Sequence, residues 1–292
     1  MNPIVLDGAM GTVLASRGVP MQAPLFSVGA LLTHPQVVEA LHLDYLRAGA
    51  DVISANSFYA HGPNLARAGL QAQAPLLAAQ AIALAQSART RFLATPPAEG
   101  QTSPPKTPRP RIAGTVSPLR PSPARAQALR TTIEAVVEAG CDLLLLETMT
   151  DLDTLDAALL ACRGVDCALW VSVVPSAADG QAFMAAAAGR IEEAGAQAML
   201  INCCDLRHVP AALCDLDTVT RESSLKLGLY PHVSQTHENT GAWIQQAVSA
   251  TAFANAMAGW QHEFPRLEIF GSCCGSTPEW THSLREALAR PA

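Results

Sequence analysis

The sequence predicts an α/β protein of one domain over residues 1–292, with its strands closed into a (βα)8 barrel of the TIM type. The first observation is the length, because 292 residues is near the usual size of such a barrel. The second is the composition, since 49% hydrophobic and 15% charged residues indicate a compact fold with a large core. The third is the regular alternation of short apolar runs with longer segments of helical periodicity.

Eight apolar runs, bounded by Gly, Pro, Asn or Asp, are the predicted strands. Their hydrophobicity is continuous rather than alternating, which is typical of parallel strands buried on both faces. In chain order they are PIVLDGAM, DVISANSF, RIAGTVSP, LLLLETM, ALWVSVVP, AMLINCC, LKLGLYPHV and LEIFGSCC. Eight such strands, each followed by a helix, favour a closed barrel over an open sheet.

The segments after the strands have helical signals at both ends. In THPQVVEALHLDYLRAGA, Thr33 can cap the start, Pro35 suits the first turn and Gly49 ends the helix. SPARAQALRTTIEAVVEAG repeats this design, with Ser122 at the cap and Gly140 at the stop. These segments are the predicted crossover helices.

One segment interrupts the alternation, the proline-rich stretch TPPAEGQTSPPKTPRP at 95–110. It has no apolar periodicity, so its composition predicts an extended surface insertion rather than an element of the core. Because it precedes the third strand, we expect it on the amino-terminal face of the barrel, opposite the mouth where barrel enzymes act. Its role is left open between a tolerated loop and a docking site for a partner.

Charge and hydropathy exclude several classes of partner. The net charge is −6, from 19 basic and 25 acidic residues, and no basic run is present, so we expect no nucleic acid partner. The amino terminus lacks a basic region followed by a long apolar region, and no apolar run approaches the length of a membrane span. These features predict a cytoplasmic protein without a membrane partner, and they leave the oligomeric state open.

The eight cysteines fall into two groups. Cys141, Cys162, Cys167 and Cys214 stand singly on or near apolar segments, and for these we expect plain burial. The other four form two adjacent pairs, one at 203–204 and one at 273–274. Because reducing conditions disfavour stable disulfides, these pairs favour metal ligation, with inert burial and redox pairing as alternatives.

Polar residues recur where the predicted strands end, and barrel closure brings strand ends to one rim. The set is Asp7, Asn56, Ser57, Glu147, Thr148, Asn202, Cys203, Cys273 and Cys274. Three cysteines from the sixth and eighth strands would give a tetrahedral zinc ion three sulfur ligands and leave the fourth position open, which is the arrangement of a catalytic site. His232 and His237 are not expected as ligands because the sulfur set is already complete. Cys204, beside Cys203, is an extra thiol of open role.

Five motifs together resemble the homocysteine S-methyltransferase family over residues 4 to about 275: LDGAMGT, ANSF, LLLETM, INCC and GSCCG. The resemblance implies a (βα)8 barrel in which Cys203, Cys273 and Cys274 bind Zn2+ and the thiol of homocysteine takes the fourth position. It also implies that Asp7 and Glu147 hold the amino group of homocysteine, with Gly8 offering a backbone contact. The expected product is methionine.

The roles of the remaining polar residues have alternatives. Asp7 can instead cap the helix that follows it, and Glu147 can be a buried carboxylate satisfied by backbone donors. Ser57, with Asn56, is a candidate for substrate contact. Tyr59 is a candidate for the pocket of the methyl donor, where it or Trp243 could hold a cation over its ring.

The chain departs from the family's pattern at three positions: Ala55 replaces a threonine, Ser117 a glycine, and His232 the asparagine of YPN. Ser117 and His232 bear on the identity of the substrate more than on metal binding. The resemblance offers methylfolate, betaine or a sulfonium as methyl donor. The large further domains of the cobalamin enzymes and the carboxyl-terminal arm of the betaine enzymes are not seen here, which favours S-methylmethionine, then S-adenosylmethionine.

Two other classes of function remain as alternatives. A non-catalytic barrel that stores or senses metal would need a closed site with four ligands. An aldolase of the Schiff-base type is disfavoured because no lysine stands at a strand end.

Overall fold

The computed structural model describes residues 3–95, 109–119, 124–175, 180–236, 243–245 and 248–290. Eight parallel strands form its central sheet, in the order β1-β10-β7-β6-β5-β4-β3-β2. They are β1 Ile4–Val5, β2 Val52–Ser54, β3 Arg111–Val116, β4 Leu143–Met149, β5 Leu169–Val173, β6 Ala198–Asn202, β7 Lys226–Tyr230 and β10 Leu267–Phe270. All eight predicted strands are therefore present, and the predicted (βα)8 barrel is confirmed.

The barrel closes between its first and second strands. Leu6, directly after β1, bridges Val52 in parallel, and the Asp7 N–H donates to the Val52 carbonyl at 3.0 Å. At the other end of this seam, the Val5 N–H donates to Asp51 Oδ2 at 2.9 Å. The buried guanidinium of Arg285 pairs with Asp51 in turn, so a charged contact ties the last helix to the closing strands.

The described residues include eleven α-helices in the segments between and after the strands. They are α1 Gly11–Ser16, α2 Gly29–Thr33, α3 Pro35–Arg47, α4 Gly62–Ala66, α5 Ala74–Ala94, α6 Arg125–Glu138, α7 Leu152–Cys162, α8 Gly180–Glu193, α9 Val209–Val219, α10 Ala250–Glu263 and α11 Pro278–Ala289. Two short antiparallel strands, β8 Ser234–Thr236 and β9 Trp243–Gln245, form a second sheet that is not hydrogen-bonded to the barrel strands. Within the described ranges, no helix combines the length and the apolar composition needed to cross a membrane.

The core has two layers because successive side chains of a strand point to opposite sides. Leu143, Leu145 and Trp170 belong to a cluster inside the barrel, whereas Leu144 and Leu146 pack in the larger cluster between strands and helices. This alternation explains why the strands read as continuous apolar runs. It also carries Glu147, two residues beyond Leu145, to the inner side of the barrel.

Some predicted details of the helices and cysteines are corrected by the structure. Thr33 does not cap α3, because its hydroxyl donates to the Gly29 carbonyl at 3.0 Å and completes α2; His34 takes the cap position without a side-chain hydrogen bond. Pro35 and Gly49 lie as predicted, Gly49 with φ of 100°. Ser122 lies outside the described residues. Of the isolated cysteines, for which burial is predicted, Cys214 is exposed, and Cys141, Cys162 and Cys167 are only partly buried.

The proline-rich insertion lies mostly outside the described residues, which resume at position 109. The elements on its two sides are α5, which ends at Ala94, and β3, which begins at Arg111. The amino-terminal end of β3 faces away from the strand ends that carry the cysteines. The two anchor points of the insertion therefore lie on the face that the sequence predicts.

Candidate functional site

The carboxyl ends of the barrel strands open into one cavity of about 400 Å3. This is the end at which barrel enzymes carry their active sites. All three predicted metal ligands and four of the predicted substrate contacts line the cavity: Asp7, Gly8, Tyr59, Glu147, Cys203, Cys273 and Cys274. The closure of the barrel thus brings together residues that are up to 267 positions apart in the chain.

Three cysteine sulfurs meet at the rim of the cavity. Cys203 follows β6, and the pair Cys273 and Cys274 follows β10, two strands away in the sheet. The Sγ atoms of Cys203 and Cys273 are 2.6 Å apart, and those of Cys273 and Cys274 are 3.8 Å apart. In the described part of the chain, this is the one group of three or more His, Cys, Asp or Glu ligand atoms lying within 4.8 Å of one another.

The loop that carries the vicinal cysteines is fixed by its backbone. The Cys273 N–H donates to the Pro231 carbonyl at 2.8 Å. Gly275 follows with φ of 85°, and a Cβ at this position would lie 2.4 Å from Ser234 Oγ. Only glycine satisfies both the left-handed backbone and the close approach to Ser234. The glycine frame of GSCCG therefore serves to hold the two sulfurs in place.

Two strand ends at the cavity adopt a backbone conformation that is uncommon for residues with a side chain. Thr148 has φ of 65° and Cys203 has φ of 46°, both in the left-handed region. Between them, Asn202 Nδ2 donates to Thr148 Oγ1 at 2.9 Å. Such conformations persist where surrounding contacts enforce them, and they concentrate at functional sites.

The three thiols differ in acidity. Hydrogen bonds from Cys203 and Cys273 lower the pKa of Cys274 to about 3. Hydrogen bonds to Cys203 and Cys274, together with burial, raise the pKa of Cys273. Three sulfurs at these distances cannot all ionise unless a cation compensates their mutual repulsion.

The geometry fits a metal ion held by thiolates. Two sulfurs on one tetrahedral ion, with metal–sulfur bonds of about 2.3 Å, lie about 3.8 Å apart, which is the distance observed between Cys273 and Cys274. The distance from Cys203 to Cys273 is shorter, so the Cys203 sulfur has to move outward by about 1 Å to reach the same spacing. The all-sulfur ligand set is the type that soft and borderline metals prefer.

Asp7 lies two residues after β1, which neighbours the strand that carries Cys273 and Cys274. Its Oδ2 atom accepts a hydrogen bond from the Ser54 N–H at 2.7 Å, which orients the carboxylate. Burial raises the pKa of Asp7 to about 7, although the bond from Ser54 acts in the other direction. The side chain does not cap α1, because that helix has no side-chain cap. A buried carboxylate of this kind is suited to receive a cationic group.

Glu147 is the second acidic residue of the cavity. Burial raises its pKa to about 8, while a hydrogen bond from the Tyr230 hydroxyl at 3.1 Å lowers it. The same hydroxyl lies 2.5 Å from Ser172 Oγ, so Tyr230 is held from two sides. Glu147 therefore has one defined partner and an otherwise desolvated carboxyl group facing the cavity.

Gly8 is required by the crowding around it. A Cβ at this position would lie 2.5 Å from Ser276 Oγ and 3.0 Å from the Tyr45 hydroxyl oxygen. The missing side chain lets the backbone between Asp7 and Ala9 pass close to these polar groups. It also leaves the Gly8 backbone at the cavity wall.

Ser57 differs from the prediction, because its side chain is fully buried and does not line the cavity. The Ser57 hydroxyl donates to the Thr115 carbonyl at 2.8 Å and accepts from the Thr115 N–H at 3.0 Å. It thus joins β2 to β3, and substrate contact is not proposed for it. Asn56 does line the cavity, where its Nδ2 donates to the Ser27 carbonyl at 2.7 Å.

The outer half of the cavity is aromatic and apolar. Tyr59 stacks against Phe26 with ring centroids 5.4 Å apart and meets Phe58 edge to face at 4.8 Å. Met10 and Met21 complete this wall. Of these residues only Tyr59 is predicted from the sequence, because the others lie in segments after the strands whose path is set by tertiary packing.

The remaining candidates lie away from the sulfur centre. Cys204 packs in the outer core cluster, and burial raises the pKa of its thiol to about 12. His232 Nδ1 lies 3.0 Å from the Cys203 carbonyl oxygen, so it contacts the backbone of the metal loop rather than the sulfurs. His237 and the side chain of Trp243 lie outside the described part of the structure.

Comparison with known proteins agrees with these observations. The model of the homocysteine S-methyltransferase family matches residues 4–288. A homocysteine S-methyltransferase of Escherichia coli (strain K12) is 29% identical, over 94% of this chain and 92% of that protein. Homocysteine S-methyltransferase YbgG of Bacillus subtilis (strain 168) is 26% identical, over 97% of this chain and 95% of that protein.

The solved structures include one relative with the same fold. The metallated form of homocysteine methyltransferase MmuM from Escherichia coli matches with a TM-score of 0.78 and 25% identity, covering 98% of this chain and 96% of that chain. The match extends over the whole barrel, as does the match of the family model. This chain therefore belongs to the homocysteine S-methyltransferase family, whose members transfer a methyl group to homocysteine.

Proposed function

We propose that this enzyme transfers a methyl group from a sulfonium donor to the thiolate of homocysteine at a zinc site, giving methionine. The observation that carries the proposal is the convergence of Cys203, Cys273 and Cys274 in a cavity that also contains Asp7 and Glu147. A soft ligand set beside two carboxylates suits a substrate that carries both a thiol and an ammonium group. Homocysteine has both.

Zinc is the metal we infer for the cysteine centre. Three thiolates in a tetrahedral arrangement are typical of zinc, and a set of three protein ligands leaves one position open. A relative solved in a metallated form supports the proposal that this protein also binds a metal. When bound, zinc would keep a coordinated thiol deprotonated, whereas a free thiol, with a pKa of about 8.5, is mostly protonated at neutral pH.

Asp7 and Glu147 are proposed to bind the ammonium group of homocysteine. Both carboxyl groups are buried and carry a raised pKa, so pairing with a cation compensates for their desolvation. Neither is proposed as an acid or base. The sulfur of homocysteine attacks the methyl carbon as the donor's carbon–sulfur bond breaks, and the donor leaves as a neutral thioether without needing a proton.

The outer half of the cavity is proposed to bind the methyl donor. The rings of Phe26, Phe58 and Tyr59 offer faces to which a sulfonium cation is attracted. The described lining includes two carboxylates and three thiols but no Lys, Arg or His, which favours a donor of net positive charge. S-methylmethionine and S-adenosylmethionine carry net charge +1 at neutral pH, whereas betaine is neutral overall.

Size favours the smaller of the two sulfonium donors. The cavity of about 400 Å3 lies toward the lower end of ligand pockets, which range from roughly 300 to 1,000 Å3. It has to accommodate homocysteine together with the donor. S-methylmethionine is therefore proposed ahead of S-adenosylmethionine.

The test is methionine formation by purified, zinc-loaded enzyme with homocysteine and each donor supplied in turn. We expect turnover with S-methylmethionine, slower turnover with S-adenosylmethionine and none with betaine. A Cys273→Ala variant is the control, since it should lose metal and turnover while keeping the barrel. Turnover with betaine alone would overturn the assignment of the donor, and no turnover with any donor would favour a non-catalytic metal-binding barrel.

A further inference from the structure

A second cysteine cluster lies at the opposite end of the barrel. Cys141 precedes β4 and Cys167 precedes β5, and the Sγ atoms of the two residues are 3.9 Å apart. Strand β4 is seven residues long, which separates this cluster from the substrate cavity by roughly 20 Å. Nothing in the proposed methyl transfer uses these two thiols.

The backbone positions suit a covalent link between the two sulfurs. Strands β4 and β5 are parallel neighbours, with Leu144 paired with Leu169, and the Leu144 N–H donates to the Ala168 carbonyl at 2.7 Å. Neighbouring strands lie about 4.8 Å apart, and disulfides bridge Cα atoms about 4.4 to 6.8 Å apart. The ladder pairs residues 25 positions apart, so the two cysteines are offset by one residue. This offset places their Cα atoms about 6 Å apart, still within that range, and rotation of the two side chains can bring the sulfurs to the bonding distance of about 2.05 Å.

The two thiols differ in access and in acidity. Cys167 lines a cavity on the outer surface between α7 and α8, beside Arg163 and Arg190. A hydrogen bond from the Cys141 thiol lowers the pKa of Cys167, although partial burial acts in the other direction. Because it donates to Cys167 and is partly buried, Cys141 has a raised pKa. Cys167 is thus the accessible nucleophile, and Cys141 is the thiol held against it.

The charged groups around the two thiols leave Cys167 more acidic than Cys141. Asp142 and Asp166 lie near Cys167 and oppose its ionisation, but the hydrogen bond from Cys141 has the larger effect, and the pKa of Cys167 stays lowered. Cys162 lines the same cavity, but burial raises the pKa of its thiol to about 12. Cys162 is therefore a weaker nucleophile than Cys167.

We propose that Cys141 and Cys167 are a modification site at which a hydroperoxide forms a reversible disulfide. The Cys167 thiolate attacks the peroxide, the oxygen–oxygen bond breaks, and one oxygen leaves as water while Cys167 becomes a sulfenic acid. The Cys141 sulfur then attacks the Cys167 sulfur, and the second oxygen leaves as water. Two thiols lose two electrons in total, hydrogen peroxide is reduced to two molecules of water, and an external thiol reverses the change.

The direct test is to map the disulfide in metal-loaded enzyme after treatment with hydrogen peroxide and blocking of the remaining thiols. Trypsin places Cys141 and Cys162 in the peptide 131–163 and Cys167 in the peptide 164–190. We expect these two peptides to be joined, and to separate after treatment with dithiothreitol. Further cleavage after Glu147 divides Cys141 from Cys162, so the partner of Cys167 is identified in the unmodified sequence.

Variants test the assignment of the two cysteines. The joined peptides should persist in Cys162→Ala and be lost in Cys141→Ala and Cys167→Ala. Alkylation of Cys167 in the wild-type enzyme should slow about tenfold or more after peroxide and recover with dithiothreitol, because a disulfide removes the thiolate. A link from Cys162, or a Cys167 sulfinic acid with Cys141 still free, would overturn the proposal.

Discussion

Asn202 Nδ2 donates a hydrogen bond to Thr148 Oγ1 at 2.9 Å and thereby joins the strand end that carries Cys203 to the one that carries Glu147. Thr148 and Cys203 both adopt a left-handed backbone, so the contact links two strained positions. Cys203 is a proposed metal ligand, and Thr148 follows a proposed substrate ligand, Glu147. The position of the cysteine centre relative to the proposed ammonium site thus depends on the Asn202 side chain, which is not proposed to contact either substrate.

Removing this hydrogen bond should weaken the metal site. We expect Asn202→Ala to lower zinc affinity by about tenfold or more, within the range found for residues that orient metal ligands. Thr148→Val removes the acceptor and should have a similar effect, whereas Thr148→Ser keeps the hydroxyl and should resemble the wild type. Competition with a chromophoric chelator measures the affinities. Equal zinc affinity in all four proteins would show that the contact does not position Cys203.

Asp7 should control the affinity for homocysteine more than the rate of methyl transfer. Asp7→Asn keeps an acceptor for the Ser54 N–H but removes the charge, so KM for homocysteine should rise roughly 10- to 100-fold, as for loss of a charge-assisted hydrogen bond. The value of kcat should change far less. Ser57→Ala is the matched control from a neighbouring strand end, with an unchanged KM. A normal KM in Asp7→Asn would remove this residue from the ammonium site.

The buried histidine of α3 should make stability depend on pH. His42 is fully buried, neither ring nitrogen has a hydrogen-bond partner among the described residues, and burial lowers its pKa to about 4. Unfolding raises the pKa to about 6.5, so the unfolded state takes up a proton first as pH falls. Between pH 6.5 and 4 this residue should therefore reduce the free energy of unfolding by about 1.4 kcal/mol per pH unit.

A variant isolates this contribution. His42→Leu cannot take up the proton, so its stability relative to the wild type should increase by about 2 kcal/mol between pH 7 and pH 5. Urea denaturation at the two pH values measures the difference. The same stability difference at both would show that His42 is hydrated and titrates normally in the folded protein.

The proline-rich insertion should be separable from catalysis. Its flanking elements, α5 and β3, meet at the amino-terminal face of the barrel, so replacing residues 96–108 by a short Gly-Ser linker should change kcat/KM by less than about twofold. Pro110 should be kept, because its carbonyl accepts a hydrogen bond from the Arg89 guanidinium at 3.2 Å. A large loss of turnover in a folded variant would place the insertion near the cavity.

The barrel and its sulfur centre are predictable from sequence because both depend on strand ends. Continuous apolar runs locate the strands, and parallel packing brings the residues that follow them to one rim, which groups Asp7, Glu147 and Cys203. The direction of a side chain beyond a strand end is not predictable in this way. Ser57 turns toward β3 because the Ser57 N–H bonds back to the Ala55 carbonyl at 2.7 Å, a local turn without a clear sequence signal.

The apolar wall of the cavity and the contact between Cys141 and Cys167 also cannot be predicted from the sequence. Phe26 reaches the cavity from a segment between helices, where it has φ of 46°, and only tertiary packing places it beside Tyr59. Cys141 and Cys167 are 26 residues apart in sequence and meet because the strands that follow them, β4 and β5, are neighbours in the sheet. Single cysteines of this kind carry no spacing motif, so burial is the natural expectation for each of them.

Three cysteine sulfurs are proposed to hold the metal and to leave one position for the thiol of homocysteine. The direct measurement is zinc X-ray absorption spectroscopy of the metal-loaded enzyme, recorded before and after addition of homocysteine. Three sulfur ligands at about 2.3 Å and one lighter ligand are predicted before addition, with a fourth sulfur replacing the lighter ligand afterwards. Four sulfurs from the start, or a shell that homocysteine does not change, would contradict the account.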